Sequence, residues 1–188
     1  MLGVAIDESP DDVRPWVDGI TFPVLIDAEH LLSELYAISN VPTVVWIDGD
    51  NRIVRPNGVA FGTDMFKDFT GVDAEPHLEA VREWVRDGTE PSGATGAPET
   101  VADLSDDEIR ARLHFRIAVH ARRAGDTETA NRHFARAGEL APHDFTIRRA
   151  AMPLVGDDPF GEKFFAIYEE WERAGMPYHG IAPVRAGE

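Results

Sequence analysis

The run GTEPSGATGAPET at residues 88–100 divides the chain. It is rich in Gly, Pro, Thr and Ala and has no large apolar side chain. No helix or strand with a buried face passes through such a run, whose composition is that of a flexible interdomain linker. Before it, short β-favouring runs alternate with amphipathic segments; after it, the patterns are helical only. The expected organisation is one domain at 1–87, a linker at 88–100 and a second domain at 101–188. With 188 residues, 43% of them hydrophobic, the chain can bury one good core and a second smaller one.

In the first part, residues 2–6 (LGVAI) form an apolar run suited to a buried strand. Ser9 reads as a helix N-cap, with Pro10 at the first helical position and Asp11 and Asp12 at the positive end of the dipole. Pro15 keeps that helix short. Residues 22–26 read as a second strand ending at Asp27, which caps a helix bearing Leu31, Leu32, Leu35 and Tyr36 on one face. The run at 43–47 (TVVWI) is the pattern of a strand covered on both faces. An Asp48-Gly49-Asp50-Asn51 turn brings the chain back as an antiparallel strand at 52–54, ended by Pro56-Asn57-Gly58. Leu78, Val81, Trp84 and Val85 then mark an amphipathic helix.

Beyond the linker, Ser105 or Asp103 caps a helix over 106–124, and Gly125 breaks it. A second helix spans 127–140 before Pro142, and a third, over 145–151, stops at Pro153. The fourth, over 160–174, carries Phe160, Phe164, Phe165, Ile167, Tyr168 and Trp171 around most of its surface, a distribution typical of a core helix. An exposed side of it would be a partner or dimer surface.

The segments GVAIDES, FPVLID, LYAISNVPT and VVWIDGDNRIVRPNG, in that order, resemble the thioredoxin-like proteins of the TlpA/ResA/redoxin group over about residues 2–86. The resemblance implies that Pro42 is the cis-proline beside the family's active site. It also implies that Glu8 matches an acidic residue close to the family's reactive cysteines. The family places a central strand and a Trp-Cys-x-x-Cys helix ahead of the strand at 2–6, and the sequence has neither. The implied first domain is thus a truncated α/β thioredoxin-like fold with its central strand missing. Three arrangements answer the unpaired backbone that such a gap leaves: direct pairing of the strands at 2–6 and 43–47, exchange of a strand between two copies in a homodimer, or a reading frame that begins late. Ala118, Gly125, Ala130, Phe134, Ala137 and Pro142 resemble the small, turn, aromatic and proline positions of a tetratricopeptide repeat over about residues 111–144. The implied second domain is a C-terminal all-α, tetratricopeptide-like helical module.

The chain has no cysteine, which excludes thiolate catalysis, thiol–disulfide exchange and Cys-based zinc sites. Catalytic residues are therefore not assigned; Glu8 and Pro42 are only the family-equivalent positions, and Glu8 without its neighbouring helix is expected to be solvated or to be part of the acidic start of the following helix. Pro42 serves either to turn the chain into a central strand or, with Val41 and Thr43, to offer backbone groups to an extended peptide. Asp48 and Asp50 form a turn without the later ligands of a calcium loop. His30, His77, His114, His120, His133 and His143 show no metal-ligand spacing; His114 and His120, six apart, do not share a helical face. No metal or cofactor is expected, and neither a phosphate-binding Gly-rich loop nor a Ser-His-Asp set can be nominated. Arg110, Arg112, Arg116, Arg122 and Arg123 read as a solvated face paired with nearby acids, or else as a patch for an acidic peptide. A formal net charge of −16 disfavours nucleic acid and anionic lipid as partners. With no apolar run of membrane-spanning length and no signal-peptide pattern, a cytoplasmic protein is expected. The functional expectation is a redoxin-family protein, a thiol-disulfide oxidoreductase by resemblance but redox-inactive; the alternative is a non-catalytic protein-binding scaffold using the Pro42 loop and the helical hairpins.

Overall fold

The computed structural model describes residues 1–39, 41–59, 64, 67–70, 73–89, 104–175 and 177. The fold is mixed α/β, and the described strands form two separate two-stranded sheets. Its two compact units are Met1–Leu35 with Ser105–Met176, and Tyr36–Leu104 with Pro177–Glu188. Residues 90–100 of the expected linker lie outside the described residues, and the N-terminal segment falls in the same unit as the helices that follow residue 104.

In the first unit, β1 (Gly3–Ala5) pairs in parallel with β2 (Val24–Ile26), Gly3 facing Val24 and Ala5 facing Ile26. Between β1 and β2 lies α1 (Pro10–Val13), where Ser9 Oγ accepts from the Asp11 amide at 3.2 Å and Pro10 occupies the first turn. A turn of 3₁₀ helix follows at Arg14–Trp16 and contains Pro15. The next helix, α2 (Leu31–Leu35), is shorter than its apolar pattern suggests, because His30 and Ala37 take left-handed angles (φ 54° and 52°) on either side of it. Asp27 does cap it: the carboxylate accepts from the Leu32 and Ser33 amides at 3.2 and 2.9 Å.

The second unit pairs β3 (Thr43–Ile47) antiparallel to β4 (Ile53–Val59). The β4 strand continues through Pro56 and Gly58, past its expected end, as Gly58 and Val59 still pair with Val44 and Thr43. Asp48 Oδ1 closes the turn by accepting from the Asp50 and Arg52 amides, both at 2.9 Å. A short α3 (Lys67–Thr70) precedes α4 (Ala74–Asp87), which Asp73 caps and Gly88 ends at φ 69°. Trp46, 3% exposed, packs against Trp84 at 5.0 Å and edge-on to His77 at 5.8 Å.

The remaining helices belong to the first unit. The long α5 (Asp106–Arg123) starts with a full capping box between Ser105 and Glu108. Across the Gly125 turn it packs on α6 (Thr127–Leu140), with Ala111, Ala118, Ala130 and Ala137 buried and so letting the backbones approach. Phe115 and Phe134 meet edge to face at 5.6 Å in that seam. The next helix, α7 (Phe145–Leu154), runs past the expected stop, because Pro153 falls in the last turn, where the Val155 amide still bonds Ala151 O at 3.1 Å. Ile147, Ala150 and Leu154 complete the α5–α6 core. On the other face of α7, Phe145 and Met152 join Ile167 of α8 (Glu162–Arg173), and Trp171 stacks on Phe145 at 5.1 Å. The aromatic helix is thus core on one side, while Phe160 and Phe165 are exposed. No helix among the described residues is long and apolar enough to cross a membrane.

Candidate functional site

Helices α6 and α8 form the walls of a groove of about 650 Å³, with α7 as its floor. Ile147, Ala151, Met152 and Val155 supply an apolar base, which Phe115 and Phe134 deepen. On the α6 wall Ala135 is small and exposed, Gly138 is covered by the Arg148 side chain, and Asn131 adds an amide that both donates and accepts. The rim charges are already held within the chain. Arg148 Nη1 donates to the Pro142 carbonyl at 2.8 Å, Lys163 pairs with Asp157, and Glu139 pairs with Arg136 at 2.9 Å. The result is a trough with an apolar base and a polar rim, in which Lys163, Asp157 and Glu139 are ion-paired and the Arg148 cation is hydrogen-bonded to a carbonyl.

A buried ion network supports this module from the side of α2. Glu34, 1% exposed, accepts from Arg116 Nε at 2.6 Å and from Arg116 Nη2 at 3.2 Å. Arg112 Nη1 donates to the Glu34 backbone carbonyl at 2.8 Å, and Arg112 Nε to Asp144 at 3.1 Å. Asp144 also caps α7 through the Thr146 amide at 3.1 Å. Arg123 pairs with Glu29. The arginine row is therefore no uniformly solvated face. Arg112 is buried, and the acids that Arg116 and Arg123 meet come from the N-terminal segment. The Glu34 hydrogen bonds raise the Arg116 pKa further above its ordinary value.

His30 is 6% exposed, and its buried Nε2 has no hydrogen-bond partner among the described residues. Burial holds it below the ordinary histidine range, against the upward pull of Asp27 and Glu8, while Arg149 adds to the lowering. Arg149 lies 5.1 Å over the Phe164 ring, and burial lowers its pKa too. In the second unit burial, then Arg55, lowers His77. No periodicity in the sequence marks His30, since a left-handed histidine just before a helix reads like its first turn.

Of the sequence-derived site residues, Glu8 is exposed and belongs to the first unit, as expected of a solvated carboxylate. Val41 and Pro42 are exposed, Thr43 is half-buried at the start of β3, and all three belong to the second unit. The Val41–Pro42 peptide is cis, the isomer that the resemblance implied. The groove itself, built by residues between Phe115 and Ile167, is absent from the sequence-derived set. Its signal was the repeat of small residues in the hairpin, which reports helix approach but not the trough alongside. Among the described residues, no group of three or more His, Cys, Asp or Glu is placed to hold a metal ion. Scans of the chain against protein-family models, curated proteins and solved structures return no match.

Proposed function

We propose that this protein is a redox-silent relative of the thioredoxin-like TlpA/ResA/redoxin group that acts by binding a peptide segment of another protein. The order of its N-terminal motifs supports the family part of the reading, and the absence of cysteine removes the thiolate that disulfide exchange requires. The observation that carries the binding part is the groove of about 650 Å³ on α6, α7 and α8, with its apolar base and with Lys163 and Glu139 of its rim held in ion pairs. Such a trough takes the apolar face of a short helix or alternate side chains of an extended segment. Val41, Pro42 and Thr43 are the proposed second peptide edge.

Peptides selected from a random library on the intact protein test the groove when compared with Ala135→Trp, which fills it from an exposed wall position. The selected peptides are expected to bind that variant at least about tenfold more weakly, roughly 1.4 kcal/mol; equal affinity removes the groove from the reading. Insulin reduction by dithiothreitol is expected to proceed at the reagent rate with the protein present, and any acceleration overturns redox silence.

A further inference from the structure

Helices α5 and α6 bring one histidine each to the same level of their hairpin. His114 and His133 are both half-buried, their ring centroids lie 4.9 Å apart at 35°, and their Nδ1 atoms approach to 2.7 Å. One proton is shared between two nitrogens at that separation. One ring therefore donates, and the other aims an unprotonated Nδ1 lone pair at the same point.

We propose that His114 and His133 form a bidentate site for a borderline divalent cation, Zn²⁺ or Cu²⁺, that bridges α5 and α6. Imidazole nitrogen suits these ions, whereas Mg²⁺ and Ca²⁺ require oxygen. Metal–nitrogen bonds of about 2.0–2.1 Å at about 90–110° set two ligand nitrogens about 2.9–3.4 Å apart, so the nitrogens separate by a few tenths of an ångström and each ring turns by about 20–35° to swing its lone pair onto the ion. The donor ring moves its proton from Nδ1 to Nε2 through solvent, and both lone pairs then face the metal with no net proton released. Among the described residues no third protein ligand joins them, so water or a partner's donor fills the remaining positions. Arg136 is the nearby cation that opposes binding, softened by its pairing with Glu139 at 2.9 Å.

Titration of the intact, chelator-treated protein with ZnCl₂ and CuCl₂, with MgCl₂ as control, tests the site by calorimetry and thermal melting. The expected result is a saturable equivalent of Zn²⁺ or Cu²⁺ with a chelator-reversible rise in melting temperature, and none with Mg²⁺. His114→Gln and His133→Gln should each weaken binding at least tenfold, while His120→Gln, at an exposed position on α5, should leave it unchanged. Arg136→Ala should tighten binding a few-fold. In the unmodified protein, the Cu²⁺ electron-spin-resonance spectrum should carry coupling from two nitrogens, which keeps the test decisive if a histidine variant misfolds. Absence of binding, a copper spectrum without two nitrogens, or undiminished binding in both histidine variants overturns the site.

Discussion

The two units hold their parts together by different chemistry. In the first, residues 1–35 meet the helical module through buried charge, with Glu34 against Arg112 and Arg116 and with Asp144 on the far side of Arg112. In the second, β3 meets α4 through ring contact, Trp46 against Trp84 and His77. Ring packing loses stability in proportion to the surface removed. A buried ion network fails more abruptly, since deleting one member leaves the others desolvated and unpaired.

The largest effect expected from breaking this contrast is that of Arg112→Ala. It strands Asp144, whose side chain is 1% exposed, and removes the donor to the Glu34 carbonyl. Urea unfolding of the first unit should lose about 3–5 kcal/mol. Hydrogen exchange should rise in residues 1–35 and stay unchanged in β3 and α4; uniform loosening of both units would dissolve the distinction. Trp84→Ala should do the converse, costing about 2–3 kcal/mol in the second unit, with exchange in α5 and α6 unaltered. Ser105→Ala, which deletes a cap but no tertiary contact, should cost about 1 kcal/mol and serves as the local reference.

The smallest effect is that of pH on His30. Burial places its folded pKa below the unfolded value of about 6.5. The contribution of the neutral ring is therefore full above that value and is lost as pH falls through the lowered folded pKa. Asp27 and Glu8 offset part of it. His30→Asn, which tolerates the left-handed angle, should reduce the stability lost by the first unit between about pH 7.5 and about pH 5. An identical pH dependence in the variant would assign that loss elsewhere.

Local chemistry in this chain was readable and distant partnership was not. Ser9, Asp27, Ser105 and Gly125 announce their turns and caps because those preferences act within a few residues. The same reach explains the errors at Pro56 and Pro153, where ladder pairing and a last helical turn absorb prolines that locally signal a stop. Arg112 carries no sequence mark distinguishing it from the exposed Arg110 on the same helix. Its burial follows from Asp144 and Glu34, both far along the chain. Spacing along a single helix likewise compares His114 with His120. The relevant partner is His133, which lies across the hairpin at a similar distance from Gly125.

The hydrogen bond from Arg112 to the carbonyl of Glu34 spans 78 residues of sequence. At about 5–20 residues per second, a ribosome needs about 4–16 s to reach Arg112 after adding Glu34. Throughout that interval the five residues of α2 lack the side chains that later enclose them, and a helix so short does not persist in water alone. The order of synthesis and the order of assembly therefore differ: α2 is made before α5, yet it is enclosed only once α5 has followed it.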